Sequence, residues 1–224
     1  MISVVVPTLN AQARLAECLA ALVPAAQDGL VRQVIVADGG SEDATAAIAE
    51  GFGADWVSSA RGRGAQMAAG AAIARSGWLL FLHADTVLDP AWVGAARSHI
   101  MAAPGKAAAF RLAFDDPAPV ARRVARWGNR RARWLGLPYG DQGLLIARDL
   151  YQAVGGFRAL PLMEDVDLVR RLGRSRLSLL EADAVTSAAR YHAEGWTRRV
   201  ARNGLAIGLY LAGVGPATIA RLYR

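Results

Sequence analysis

Trp78-Leu79-Leu80-Phe81-Leu82-His83-Ala84-Asp85 is the stretch that decides the fold. Five apolar residues in an unbroken run read as a strand buried on both faces, as in a parallel sheet covered by helices. The run stops at a histidine and an aspartate, so polar chemistry collects where the strand ends. Towards the N-terminus the same arrangement recurs. Strands read at Ser3–Pro7, Gln33–Asp38, Asp55–Ser58 and Trp78–His83, separated by Ala-rich stretches at Ala11–Val23, Glu42–Glu50 and Ala65–Arg75. β-Branched runs alternating with helices long enough for right-handed crossovers predict an α/β fold, a mostly parallel, Rossmann-like sheet flanked by helices.

Towards the C-terminus the alternation loosens. Asp89-Pro90 opens a helix, Ala107–Phe114 reads as a strand, and Pro119–Leu135 as a long basic helix. Met163-Glu164-Asp165-Val166-Asp167 opens another helix. A last one runs from Gly195 to Ala212, followed by Gly213–Pro216 and a short basic tail, Arg221-Leu222-Tyr223-Arg224. In the helix 119–135, Val120, Val124, Trp127 and Trp134 form one stripe, and Arg122, Arg123, Arg126, Arg130, Arg131 and Arg133 occupy the rest. An amphipathic helix of this kind is expected to turn its apolar stripe to the core. The alternative is a helix that lies on a membrane surface or meets an anionic acceptor.

The chain of 224 residues is 54% hydrophobic, enough for one well-packed domain. Its 26 basic residues outnumber 19 acidic ones, and Lys106 is the only lysine. Arginine suits phosphate and carboxylate recognition, although net charge by itself speaks only to solubility and non-specific attraction. Aromatic residues make up 7% and no stacking platform or recognition motif appears, which argues against nucleic acid. A single cysteine, Cys18, fits a reducing compartment, the cytoplasm. The opening Ile2-Ser3-Val4-Val5-Val6-Pro7 lacks the pattern of a secretion signal. The longest apolar run, Leu205 to Val214, is about half of the roughly 20 residues a spanning helix needs.

Ligands of open α/β sheets gather beyond the carboxyl ends of the strands. Here those ends are Pro7-Thr8-Leu9-Asn10, Asp38-Gly39-Gly40-Ser41, Arg61-Gly62-Arg63-Gly64 and His83-Ala84-Asp85, and together they read as one nucleotide-binding edge. Asp38 before two glycines either accepts hydrogen bonds from a base or ribose, or forms a helix N-cap turn with Ser41. Arg61-Gly62-Arg63-Gly64 can offer guanidinium and backbone donors to a pyrophosphate. It is no dinucleotide fingerprint, because Met67 stands where the last glycine would be and the motif follows the third strand. A carboxylate such as Asp85 at the end of a buried strand needs a positive partner. A divalent cation bridging to a diphosphate would supply it, and oxygen ligands favour Mg²⁺ or Mn²⁺; the competing account is an Asp capping the helix at Asp89-Pro90. Glu164 and Asp165 are favoured at a helix N-terminus by the dipole alone. Either can equally serve as a base for an acceptor hydroxyl.

The series Ser3-Val4-Val5-Val6-Pro7-Thr8-Leu9-Asn10, Asp38-Gly39-Gly40-Ser41, Arg61-Gly62-Arg63-Gly64-Ala65-Gln66-Met67, Phe81-Leu82-His83-Ala84-Asp85-Thr86, Gly140-Asp141-Gln142-Gly143 and Glu164-Asp165 resembles the family 2 glycosyltransferases of GT-A fold. More narrowly it is similar to their small bacterial subgroup associated with radical-SAM/selenodomain proteins or arsenosugar biosynthesis. The likeness extends to the closing Ala220-Arg221-Leu222-Tyr223-Arg224. It implies one GT-A domain over 1–224, with a nucleotide-binding half at 1–88 and an acceptor-binding half at 89–224. It implies a nucleotide-diphosphate sugar as donor, a UDP-sugar by default, and a small-molecule or lipid acceptor. Pro7, Thr8, Asn10, Asp38, Gly39 and Ser41 would contact the nucleoside, with Arg61 and Gln66 near the ribose or diphosphate. His83, Ala84 and Asp85 would carry the family's Asp-x-Asp position, with Asp85 the ligand of Mg²⁺ or Mn²⁺. Asp165 would be the base of an inverting displacement, with Glu164 beside it. Tyr139, Gly140, Asp141, Gln142 and Glu164 would shape the sugar and acceptor pocket. His83 stands where the pattern usually has its first acid, and Ala189 where the subgroup more often has an arginine beside Arg190. His192 lies near the region where some such transferases bring an imidazole to the metal, and His99 reads as structural. Pro7-Thr8-Leu9-Asn10 is not the basic glycine-rich loop a nucleotidyltransferase would need. The remaining rival is a non-catalytic or peripheral membrane-binding protein that uses the Arg122–Arg133 helix.

Overall fold

The computed structural model describes residues 1–223; Arg224, the end of the basic tail, lies outside them. In chain order the elements are β1 (Ile2–Thr8), α1 (Leu15–Ala20), α2 (Val23–Gln27), β2 (Val31–Asp38), α3 (Thr45–Gly51), β3 (Asp55–Ser58), α4 (Arg63–Ile73) and β4 (Trp78–Phe81). There follow β5 (Thr86–Leu88), α5 (Trp92–Ala102), β6 (Ala107–Phe114), α6 (Pro119–Leu135), β7 (Leu144–Ala147), α7 (Arg148–Ala153) and α8 (Glu164–Leu172). β8 (Leu177–Thr186), α9 (Ala189–Glu194), α10 (Trp196–Leu211) and α11 (Pro216–Tyr223) complete the chain, with short 3-10 turns at Gly140–Gln142 and Arg174–Arg176.

One sheet holds all eight strands in the order β3-β2-β1-β4-β7-β6-β8-β5. β1, β2, β3 and β4 run parallel, while β7 pairs antiparallel with both β4 and β6. The chain winds outward from β1 to β3 and then returns to place β4 on the other side of β1. That reversal opens a crevice between the ends of β1 and β4. Register aligns Thr8 with Asp38 and Asp38 with Ser58, so the first three strands end level.

Residues in β1 alternate between faces with period two. Ile2, Val4 and Val6 join Leu15, Leu19, Leu22 and Trp92 in one core. Val5 packs on the other face with Ile35, Met67, Phe81, Ile146 and Leu168. Helix α4 crosses β1 at Gly70, where a Cβ would sit 2.3 Å from Val5 Cγ1, so only glycine allows that approach.

Several boundaries depart from expectation. The helix expected over Ala11–Val23 is split at Val23-Pro24 into α1 and α2. β4 ends at Phe81, with His83 already in the following loop. α4 begins at Arg63, two residues early, and α11 fills the expected tail. β5, β7 and β8 were not anticipated; Leu177–Thr186 mixes polar and apolar residues, as a partly exposed strand does.

The face of α6 needs the clearest correction. Its limits match the sequence, with Pro119 at N1 and Gly136 left-handed at the C-terminus. The buried face, however, is Ala121, Ala125, Gly128 and Ala132. Small residues bring the helix close to β6: a Cβ on Gly128 would lie 2.9 Å from Leu112 Cδ2. Trp127 and Trp134 are turned outward, 69% and 58% exposed.

No helix among the described residues is long and apolar enough to cross a membrane.

Candidate active site

At the level ends of β1 and β2 the loops are tied together by their own side chains. Asp38 accepts hydrogen bonds from Thr8 Oγ1, Ser41 Oγ and the backbone N–H groups of Gly40 and Ser41. Burial pushes the Asp38 carboxyl up, but these donors win and hold it below its ordinary value. It is thus a permanent anion that shapes the loop. Asn10, left-handed at φ 51°, accepts from Glu42 N–H at 2.9 Å, and its own N–H donates to Ser41 Oγ at 2.8 Å. Gly39 N–H bonds Thr8 O at 2.9 Å. Gln66, from α4, donates its amide to the carbonyls of Thr8 and Ala37. Pro7, Thr8, Asn10, Asp38, Gly39, Ser41 and Gln66 therefore form one connected edge. Arg61 stands exposed at its border.

Beside this edge lies a cavity of about 160 Å³. Its walls include Arg63, His83, Asp85, Tyr139, Gly140, Asp141 and Asp165. Asp85 is not a helix cap: α5 starts with Trp92 N–H bonding Asp89 O, and among the described residues only the Asp85 backbone carbonyl is engaged, by Ser187 N–H.

Asp165 is aimed by two features. Met163, left-handed at φ 67°, precedes α8 and turns its N-terminus to the cavity. The carboxylate then accepts Gly140 N–H at 2.7 Å on Oδ2 and Val166 N–H at 2.7 Å on Oδ1. Each oxygen retains a second lone pair. The carboxylate also stands in the first turn of α8, where the helix dipole favours an acid.

Glu164 is only 2% exposed and pairs with Arg63 Nε at 3.0 Å. Burial raises its pKa, and Arg63 opposes the rise. Glu164 is not on the cavity wall, but its partner Arg63 is, so it reaches the pocket through that guanidinium. His83 is pushed down to about 4 by burial and then by Arg63, so its imidazole is neutral near pH 7. Asp141 is pushed up to about 6 by burial, with Arg131 opposing, and its Oδ1 is buried without a hydrogen-bond partner.

Tyr139 is clamped by Arg131, whose guanidinium lies 3.3 Å from the ring centroid. Gln142 corrects another expectation. It is fully buried, donates to Phe110 O at 3.0 Å, and points into the body of the protein rather than the cavity. Ala84 and Arg61 also stay outside the cavity wall. His192 lies 3.0 Å from Asp116 Oδ2 and is likewise not on that wall. His99 is structural, bonded to Lys106 O at 2.9 Å.

The sequence reading selected Arg61 but not Arg63, although both lie in the same motif. It missed Thr186 and Ser187 at the end of β8, and Tyr191, Arg199, Asn203 and Tyr223 from α9, α10 and α11. Strand-end logic would have found Thr186 and Ser187 had β8 been recognised. Arg190, retained beside Ala189, also reaches this wall.

Among the described residues no three His, Cys, Asp or Glu side chains cluster to hold a metal unaided. A cation at Asp85 would therefore take its remaining ligands from a bound diphosphate and water. That is how Mg²⁺ commonly sits in phosphate-transfer sites, so the donor set fits.

The profile of glycosyl transferase family 2 matches residues 3–160. No curated protein matches the sequence. Among solved structures, S. aureus TarS (residues 1–349) is similar with a TM-score of 0.65 at 18% identity, over 84% of this chain and 60% of that one. Mannosyl-3-phosphoglycerate synthase from Rubrobacter xylanophilus gives 0.63 at 18%, over 96% and 75%. Glucosyl-3-phosphoglycerate synthase from Mycobacterium tuberculosis, in complex with Mn²⁺, UDP and glucosyl-3-phosphoglycerate, gives 0.58 at 23%, over 84% and 70%. These likenesses concern the fold, and the chain spans only 60% of TarS 1–349. With the family's profile matched over residues 3–160, the chain belongs to glycosyl transferase family 2 and has the GT-A fold of these structures.

Proposed function

We propose that the protein transfers a sugar from a nucleoside-diphosphate donor, by default a UDP-sugar, to a hydroxyl of a small-molecule or lipid acceptor, with inversion. The observation that carries this reading is the meeting of Asp85 and Asp165 on one cavity wall beside the tied ends of β1 and β2. The donors named in similar structures support it: TarS was solved with UDP-GlcNAc, and glucosyl-3-phosphoglycerate synthase with Mn²⁺ and UDP-glucose.

The loops at Thr8–Asn10 and Asp38–Ser41 would seat the nucleoside, with Arg61 and Gln66 flanking it. Asp85 would hold Mg²⁺ or Mn²⁺ together with the donor's diphosphate; when bound, the cation supplies positive charge to the leaving group. Arg63 adds a fixed guanidinium on the same wall, held by Glu164. Asp165 takes the proton of the acceptor hydroxyl as its oxygen attacks the anomeric carbon from the face opposite the diphosphate. Neutral His83 lies against Gly140, and on this wall Asp165 is the carboxylate held by two backbone N–H donors. Tyr139, Gly140 and Asp141 would line the sugar and acceptor side. The subgroup resemblance adds an arsenic- or selenium-containing acceptor as the first class to try. A reducing, cytoplasmic setting agrees with the single buried thiol, Cys18.

The test is incubation with UDP- and GDP-sugars and Mn²⁺ while following nucleoside diphosphate release and the anomeric configuration of the product. Release from one donor, with inverted product, is expected. A product of retained configuration would remove Asp165 as base of a single displacement.

A further inference from the structure

Outside the cavity, the most unusual surface is the outward face of α6. Over residues 119–135 the helix carries six arginines and no acidic residue. Arg122, Arg123, Arg126 and Arg130 make no ion pair among the described residues, whereas Arg133 is matched by Glu181 at 3.0 Å. Between the arginines stand Trp127, 69% exposed, Trp134, 58%, and Leu135, 62%. Trp127 and Trp134 are two turns apart, about 10 Å along the axis. The guanidinium of Arg130 lies 5.9 Å from the Trp127 ring centroid and 6.0 Å from that of Trp134.

Packing within the domain does not account for these side chains, because alanines and a glycine make the contact with the sheet. Indole rings with an apolar body and a single N–H donor are at home where water meets hydrocarbon. Cations flanking them complement an anionic surface and are attracted by it individually. The pattern of tryptophans beside arginines on a helix lying flat is that of an interfacial anchor. A nucleic-acid platform fits less well. Stacking needs open ring faces at base spacing, and here Arg130 already lies over both rings.

We propose that α6 docks the protein on an anionic phospholipid bilayer, with Trp127, Trp134 and Leu135 entering the interface and Arg123, Arg126 and Arg130 meeting the headgroups. The same helix carries Arg131, which clamps Tyr139 on the cavity wall. Docking therefore sets the acceptor side of the cavity one side chain away from the lipid surface. The neighbouring α10, which touches α6, leaves Leu205 and Leu211 exposed as well.

The experiment is vesicle co-sedimentation of the full chain, near physiological salt, with phosphatidylcholine alone and with equimolar phosphatidylcholine and phosphatidylglycerol. The wild type is expected to sediment with the anionic vesicles only. Trp127→Ser with Trp134→Ser should weaken partitioning at least about tenfold, since each ring loses its interfacial burial. Arg123→Gln, Arg126→Gln and Arg130→Gln together should weaken it about a hundredfold. All five positions are exposed, and unchanged circular dichroism and nucleotide binding would certify the fold. Absence of binding to anionic vesicles would overturn the proposal. Undiminished binding of the tryptophan variant would also overturn it, by reducing the effect to general attraction of a +7 protein. So would a single-stranded oligonucleotide that binds more tightly than vesicles and depends on the same tryptophans. None of these outcomes involves sugar transfer, so they leave the catalytic reading to its own tests.

Discussion

Asp165 Oδ2 accepts the backbone N–H of Gly140 at 2.7 Å, joining the first turn of α8 to the turn before β7. The contact depends on position 140 having no side chain, because a Cβ there would stand 2.5 Å from His83 Nε2. Gly140→Ala is therefore expected to displace His83, the turn or both, while the β1–β2 edge stays intact. Displacements of this size cost about 100-fold in rate. Donor turnover should fall by that order with nucleotide affinity within about threefold, read from steady-state kinetics and a binding titration.

Asp165→Asn keeps an oxygen for Gly140 N–H but removes the base. Turnover should drop by about 10²–10⁴-fold, the usual contribution of a general base, while the dissociation constant for the nucleoside diphosphate is unchanged. A variant that retains turnover within a factor of ten would assign the proton to another group, and Asp141 would be the first to examine.

Glu164 lies almost wholly out of solvent against Arg63. Glu164→Gln leaves the guanidinium facing a neutral amide. Because the Arg63 side chain is 41% exposed, water recovers part of the loss. A destabilisation of about 1–3 kcal/mol is expected, read as a lower urea midpoint with an unchanged slope. Donor turnover should fall as well, since Arg63 is no longer fixed at the cavity. Unchanged stability would mean the pair contributes nothing measurable.

Asp141 gives a pH-dependent signature. Its carboxyl titrates at about 6 in the folded protein against an ordinary value of 3.8, so the folded state holds the proton more tightly. Below 3.8 both states are protonated and nothing is lost; between 3.8 and 6 stability falls as pH rises; above 6 the loss is complete, up to about 3 kcal/mol. His83 runs the other way. Its folded value of about 4 lies under the ordinary 6.5, so its contribution is lost as pH falls from 6.5 to 4. In the wild type the two effects oppose each other. Asp141→Asn should be the more stable protein at pH 7.5, and its stability should climb more steeply between pH 4 and 6.5. Parallel pH profiles of thermal midpoint for the two proteins would contradict this assignment.

β1, β2 and β4 were legible because burial leaves an apolar run that ends sharply, as at Phe81-Leu82-His83, whereas β3 is a half-exposed edge strand read from its place between helices. The donor edge followed, since parallel strands of one sheet end on the same side. β8 was hidden because it is partly exposed and its sequence, Leu177 to Thr186, lacks either clean pattern. The cavity wall from α9, α10 and α11 was hidden for a different reason: no local rule says which distant helix closes over a strand end. α6 shows the limit of hydrophobic patterning most directly. Tryptophan ranks above alanine in apolarity, yet the space beside β6 admits only small side chains, and the large rings are turned out. Steric fit decided the face that hydrophobicity misassigned.

The proposed site would bind a nucleoside diphosphate together with a divalent cation at Asp85. Calorimetric titration of UDP and GDP, with and without Mn²⁺, on the wild type and on Asp85→Ala, tests it most directly. UDP is expected to bind only with Mn²⁺, and this binding to be abolished in Asp85→Ala. Absence of binding by either nucleotide, or binding indifferent to both Mn²⁺ and Asp85, would contradict it.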